Sequence, residues 1–192
     1  MDRFVTLAEI EKARAALPPA VRRTPIIPFS ADSPDVGAER LFLKAENLQV
    51  TGAYKVRAAF TILGALSPEE RRKGVVLTSS GNFAQAFGFA GGLMGAPVTV
   101  VMLDRTSPYK VAATEGYGAE VVFCGEDALG RQPAVERIAE ERGMIAIDTW
   151  EEPMGTTGHG SLGLEIAEDM PDVETVLVPV SSGGVAAGVG AA

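Results

Sequence analysis

Hydrophobic and polar positions follow two patterns, with a change of regime near Gly74. Beyond it, short and nearly continuous apolar runs recur between segments of helical periodicity. The runs predict strands at 75–79, 97–103, 120–124, 144–148 and 175–180, and the intervening periodicity predicts helices at 82–93, 107–117, 130–142 and 160–169. Strands apolar on both faces, separated by helices, belong in a parallel sheet covered on both sides, so the fold class is α/β. Before Gly74, Thr6 and Glu9 stand at capping-box spacing and open a helix to about Ala16, which Pro18-Pro19 stops. Residues 25–29 read as extended, 30–39 as a polar loop and 41–45 as a strand. After a turn at Thr51-Gly52, a helix starts near Ala53 with Val56, Ala59, Phe60, Leu63 and Leu66 at helical spacing. There is no repeat of fixed period and no low-complexity linker.

Two stretches lack charge altogether, 30 residues from Gly74 to Leu103 and 17 from Val176 to Ala192. Glycines at 88, 91, 92 and 95, Pro97 and the polar 78–85 segment break the first into strand, helix and strand. The second is short and interrupted by Pro179 and a glycine turn, so a buried sheet explains both better than a membrane span. The net charge of −8, with no basic cluster, argues against nucleic acid as a partner. Cys124 is the single cysteine, which excludes an internal disulfide and a multi-cysteine metal site. Following Val121-Val122-Phe123, it reads as a reduced thiol at the end of a buried strand. Met1-Asp2-Arg3-Phe4 lacks the apolar stretch of a signal peptide, so a cytoplasmic location is expected.

Of the five lysines, Lys55 alone sits in the first helical turn after a Thr-Gly turn, sharing a helix row with Ala59, Ile62 and Leu66. Burial beside that apolar row would favour the neutral amine, the form that attacks a carbonyl carbon. From spacing alone, a lysine that snorkels to water from the helix edge fits better. Ser79-Ser80-Gly81-Asn82, between a strand and a helix, can aim N–H groups and hydroxyls at a carboxylate or phosphate; it can equally be a structural cap. Ser181-Ser182-Gly183-Gly184 repeats the logic less specifically, matching neither G-x-G-x-x-G nor the Walker pattern, since Val189 stands where a lysine is needed. His159, the single histidine, lies among glycines in what reads as an irregular stretch, a surface or loop residue rather than a catalytic one. Acidic residues such as Glu136, Glu140 and Glu141 are dispersed, so no metal site is expected.

Taken in order, three segments resemble the fold-type-II pyridoxal-phosphate enzymes, in the threonine/serine dehydratase and serine racemase branch. They are Lys44–Ala59 (KAENLQVTGAYKVRAA), Ser79–Ala86 (SSGNFAQA) and Val178–Gly184 (VPVSSGG). The likeness extends over nearly the whole chain, including the opening helix and Arg22-Arg23-Thr24-Pro25. It implies a two-lobed, open parallel-sheet fold of the tryptophan synthase β-like type. Residues 1–74 would begin a large cofactor-binding lobe, 75–150 would form a small lobe closing over the substrate, and 151–192 would return to the large lobe. The rest of that lobe, with the partner of the pyridine nitrogen and often a cation site, is expected to be missing, which leaves this chain alone short of a complete active site.

By the same resemblance, Lys55 carries the cofactor pyridoxal 5'-phosphate and serves as catalytic base, with Tyr54 beside its ring and Asn82 on its phenolic oxygen. Ser181, Ser182, Gly183 and Gly184 hold its phosphate. Ser79, Ser80, Gly81, Asn82 and Phe83 form the substrate loop, and Ser80 matches the opposite-face acid/base of racemases. The implied activity is an ammonia-lyase, or dehydratase, turning a β-hydroxy amino acid such as threonine or serine into a 2-keto acid. Racemisation and a non-catalytic binding or regulatory subunit are the alternatives; β-replacement fits Glu46-Asn47-Leu48-Gln49 less well. A small amino acid is the expected partner, and a homo-oligomer, dimer or tetramer, the expected full-length form. Three departures bear on the substrate: Phe83 replaces a usual histidine, Ser181 and Ser182 replace glycines, and Ala58 replaces a glycine.

Overall fold

The structure, a computed structural model, describes residues 4–29 and 41–192. The polar loop expected at 30–39 lies outside the described residues. Helix α1 (Leu7–Ala15) starts on the expected capping box, in which Thr6 and Glu9 hydrogen-bond reciprocally. Strands β1 (Ile26–Phe29) and β2 (Leu41–Lys44) form an antiparallel pair with Ile26 opposite Lys44. Helix α2 begins at Lys55, two residues later than its pattern suggests, and runs to Ala65. A helix the pattern did not disclose, α3 (Pro68–Lys73), follows on a second capping box between Ser67 and Glu70.

The centre is a parallel sheet of strands β3 (Val75–Thr78), β4 (Val98–Met102), β5 (Glu120–Phe123) and β6 (Ile145–Ile147), in the order β5-β4-β3-β6. Between them run α4 (Asn82–Met94), α5 (Pro108–Gly116) and α6 (Arg131–Arg142). Alternation across the pleat explains the covering. Val75, Leu77, Val98, Val100 and Met102 pack with α4 and α2, while Val76 and Val101 face Ala134, Val135 and Ile138 of α6. The larger cluster is continuous from Val56 to Ile147, so α2 shares its core with the sheet.

The strand order decides where chemistry can sit. The chain leaves β3 for β4 and β5 on one side, then crosses to β6 on the other. In open α/β sheets ligands bind at such a reversal, outside the carboxyl ends of the strands. The carboxyl end of β3 is Thr78, so the reversal opens onto Ser79-Ser80-Gly81-Asn82.

Three expectations are corrected. The helix predicted at 160–169 starts earlier: α7 spans Pro153–Asp169, and His159 lies inside it, buried. The glycines around His159 gave that stretch its irregular reading, but they admit close neighbours. A Cβ on Gly158 would stand 2.7 Å from Ala58 Cα, one on Gly160 2.6 Å from Ile10 Cδ1, and one on Gly163 2.9 Å from the Val189 carbonyl oxygen. The second correction is the strand predicted at 175–180. That segment pairs with no strand among the described residues and leaves Leu177 82% and Val180 70% exposed. Its apolar side chains suit a sheet interior, but a strand exists only where a neighbour completes its ladder. The glycine turn still leads into a helix, α8 (Gly184–Ala191), which packs on α7. Third, β5 is an edge strand, with Phe123 50% exposed and Cys124 half-buried, so the thiol is free but not a core group. Burial raises its pKa.

No helix among the described residues is long and apolar enough to cross a membrane. The described residues also hold no cluster of metal-ligating side chains.

Candidate functional site

The chain reaches Lys55 through two tight turns that leave little slack. Thr51 adopts φ 67° and ψ 6°, and no other non-glycine residue among those described has a positive φ. A β-branched residue in that region is strained by roughly 1–3 kcal/mol, so its surroundings must hold it there. Gln49 does much of this. Its backbone oxygen accepts from the Gly52 N–H (2.8 Å), and its side-chain oxygen accepts from the N–H groups of Arg22 (2.9 Å) and Val50 (3.0 Å). Its amide nitrogen donates back to the Arg22 carbonyl (2.7 Å). The reversal delivers Tyr54 and Lys55 to the head of α2.

Within the first turn of that helix stands Arg57, wholly buried. Its guanidinium donates to Glu46 through Nε (3.1 Å) and Nη2 (2.9 Å), and to Glu165 through Nη1 (2.6 Å) and Nη2 (3.0 Å). Nη2 also reaches the Arg22 carbonyl at 3.2 Å, and Nη1 reaches Ser161 Oγ at 3.3 Å. Glu165 takes a second cation, Lys44, at 2.8 Å, and Thr24 donates to Glu46 at 2.5 Å. Burial pulls the Arg57 pKa down, yet the hydrogen bonds from both carboxylates outweigh it and the net shift is upward. The planar fork thus ties the 46–49 turn, α2 and α7 into one frame, a geometry a lysine could not reproduce.

Above that frame, the Lys55 amine lies between two aromatic faces, 5.2 Å from the Tyr54 ring centroid and 4.9 Å from that of Phe83. Partial burial lowers its pKa, which enlarges the neutral, nucleophilic fraction. The same burial raises that of the Tyr54 hydroxyl. The His159 ring meets Tyr54 edge-on (5.1 Å, 71°) and lies 6.4 Å from Phe83. Its Cδ2 is 3.8 Å from the point where a Cβ on Gly184 would stand. Through His159, then, the lysine, the head of α4 and the turn before α8 converge.

Burial, reinforced by the positive charges of Lys55 and Arg57, lowers the His159 pKa from 6.5 to about 3. The unfolded chain therefore binds a proton that the fold rejects, and stability falls as pH drops below 6.5. The expected slope approaches 1.4 kcal/mol per pH unit, or about 2–3 kcal/mol between pH 6.5 and 4.5. Urea unfolding across that range should show it, with a flatter profile in His159→Gln; equal slopes would place the imidazole in water.

The sequence-predicted residues divide accordingly. Tyr54, Lys55 and Phe83 are brought together, and Gly184 joins them through His159. Ser79, Ser80 and Gly81 are half-buried at the head of α4, Asn82 exposed beside them, and Ser79 Oγ accepts from the Gly81 N–H at 3.4 Å. Ser181 and Ser182 are exposed, while Gly183 has φ 91° and leads into α8. Sequence reasoning missed Arg57 and His159. An arginine inside the apolar run of α2, with Glu46 upstream, was the available sign of the first. The cavity of about 500 Å³ lined by Leu17, Phe60, Leu93, Met94 and Met154 holds none of these groups.

Comparison with known proteins follows the same outline. The family pattern described as "Pyridoxal-phosphate dependent enzyme" matches residues 17–192. The catabolic L-threonine dehydratase TdcB of Staphylococcus aureus is 37% identical over 189 residues, 98% of this chain and 55% of that protein. Among solved structures, maize serine racemase superposes with a TM-score of 0.91 at 33% identity, covering 98% of this chain and 58% of its own. The processed form of threonine deaminase isoform 2 from Solanum lycopersicum gives 0.84 at 27%, covering 98% and 53%. This chain therefore spans little more than half the length of these relatives. On the matched pattern and the shared architecture, it belongs to the pyridoxal-phosphate dependent enzyme family.

Proposed function

We propose that this chain carries the cofactor lysine and substrate loop of a pyridoxal-phosphate-dependent ammonia-lyase. The substrate would be a β-hydroxy amino acid such as threonine or serine, and the products a 2-keto acid and ammonia. The observation that carries the reading is the Lys55 amine, its pKa lowered by burial and its position fixed between Tyr54 and Phe83. The surroundings suit pyridoxal phosphate: an amine with a lowered pKa, the buried and unpartnered Nδ1 of His159, and open space around Gly81 and Gly183. When bound, the cofactor supplies an electron sink for the pair left at Cα.

The residues divide the work. Lys55 Nζ would hold the cofactor's aldehyde carbon and, once freed, take the Cα proton of the substrate. Ser79, Ser80, Gly81 and Asn82 would receive the carboxylate at the head of α4, where N–H groups favour anions. Asn82 would also bond the ring's phenolic oxygen, with Phe83 and Tyr54 as apolar walls. The Ser181–Gly184 turn would take the phosphate. The β-hydroxyl would leave as water, taking up the proton that Lys55 removed from Cα, and hydrolysis of the released enamine would give the keto acid and ammonia. In this reading 1–74 and 151–192 belong to the cofactor lobe and 75–150 to a smaller lobe. A cytoplasmic location and a homo-oligomeric full-length form belong to it as well.

Racemisation is the second reading, favoured by a half-buried hydroxyl at Ser80, just before the helix whose Phe83 meets the Lys55 amine; that hydroxyl would offer a second proton carrier. One experiment addresses both. Full-length protein loaded with pyridoxal phosphate is reduced with borohydride and peptide-mapped, and a parallel sample is incubated with L-serine and L-threonine. Label on Lys55 with ammonia release supports the lyase; label with the D-epimer alone supports the racemase. Label on another lysine refutes the assignment of Lys55.

A further inference from the structure

His159 has no place in that division of work, yet its surroundings single it out. It is 3% exposed, and its Nδ1 is buried with no hydrogen-bond partner among the described residues. An unsatisfied buried imidazole nitrogen costs roughly 1–3 kcal/mol, and a native fold rarely tolerates that without a use. The ring's contacts suggest the use. One side rests on Tyr54 and Phe83, the rings that flank the lysine amine, and the Cδ2 edge faces Gly184, the first residue of α8. The two edges of an imidazole are nearly isosteric, and a half-turn about Cβ–Cγ exchanges Cδ2 with Nδ1. A nitrogen at that edge would look onto the turn where Gly183 takes φ 91° and α8 begins.

The helix contributes N–H donors and the positive end of its dipole. Ser181 and Ser182 are exposed. Thr156 Oγ1 of α7 lies 3.3 Å from the point where a Cβ on Gly184 would stand, and with the ring turned His159 would add a buried nitrogen from the same helix, 25 residues before Gly184 in the chain. A neutral imidazole carries one N–H, and a phosphate monoester oxygen is an acceptor it can satisfy.

We propose that His159 is a positioning residue for the cofactor, donating a hydrogen bond to the phosphate group of pyridoxal phosphate while bracing Tyr54 and Phe83 around Lys55. The inference rests on the cofactor reading above and adds a residue to it. Backing the phosphate from α7 ties the far end of the cofactor to the Arg57 frame, because Ser161 and Glu165 of the same helix hold that guanidinium.

Binding, not turnover, tests it. Pyridoxal phosphate and pyridoxal, which lacks the phosphate, are titrated into full-length protein by absorbance, for the unmodified form, His159→Asn and His159→Phe. Circular dichroism confirms the fold of each variant. His159→Phe, which keeps a ring against Tyr54 and Phe83 but no donor, should weaken pyridoxal phosphate about tenfold, the equivalent of one hydrogen bond at about 1.4 kcal/mol, and leave pyridoxal unchanged. His159→Asn, which keeps a donor, should recover part of the loss, and the phosphorus-31 resonance of the bound cofactor should shift in His159→Phe. Equal weakening of both ligands would show a brace without a phosphate contact and overturn the proposal, as would no weakening of either. Failure of the unmodified protein to bind pyridoxal phosphate would overturn the cofactor reading itself and this proposal with it.

Discussion

Arg57→Met should destabilise the fold by about 3–5 kcal/mol, because it removes the cation while two buried carboxylates stay behind. Among the described residues, Glu46 would keep Thr24 as its side-chain partner, and Glu165 would keep Lys44. Against a typical total of roughly 5–15 kcal/mol, such a loss threatens folding outright. Arg57→Lys should be intermediate, since one ammonium cannot span Glu46, Glu165, Ser161 and the Arg22 carbonyl together. The informative comparison is Arg57→Met combined with Glu46→Gln and Glu165→Gln. If uncompensated charge causes the loss, this triple variant should be more stable than the single one despite carrying more changes. Urea midpoints at constant m-value decide it. A single variant within about 1 kcal/mol of the parent would mean that water reaches the carboxylates, contrary to their burial.

That network also shows what the sequence could not disclose. One of the two carboxylates that hold Arg57, Glu165, is 108 residues away, and no local pattern links the two. The sheet strands were legible because Val75-Val76-Leu77 and Val98–Met102 are apolar on both faces, a condition only an interior parallel strand meets. Lys55 was singled out by its family segment, whereas spacing alone favoured a solvated lysine; the structure places its amine partly buried near Tyr54 and Phe83. The early part of α7 was hidden by its own packing device: glycines at 155, 158, 160 and 163 lower helix propensity, and that cost is accepted where α1, α2 and α8 approach closely. Misplacing α7 misplaced His159. The 175–180 segment failed for the opposite reason. Apolarity says that a segment favours burial, but not which strand will pair with it.

Lys55→Ala should lower ammonia release from threonine or serine by at least roughly 10³-fold in the full-length protein, the range associated with losing a positioned base or nucleophile. On the proposed roles, two functions would disappear together, the covalent hold on the cofactor and the acceptor for the Cα proton, and no other lysine amine among the described residues lies against Tyr54 and Phe83. Stability should respond in the other direction, or hardly at all. The amine is partly desolvated, its pKa is lowered by that burial, and it makes no salt bridge among the described residues, so truncation removes a group the fold holds at some cost. Folded variant with lost activity is therefore the expected pair of results, the reverse of Arg57→Met, where the fold fails first. Lys55→Arg should be as inactive as the alanine form, because a guanidinium stays protonated and cannot attack a carbonyl carbon. A small primary amine added to Lys55→Ala should restore a measurable fraction of the release by taking over the proton transfer in the vacated space. Full activity in Lys55→Ala would overturn the assignment, and an unfolded variant would show that Lys55 belongs to the frame rather than to the chemistry.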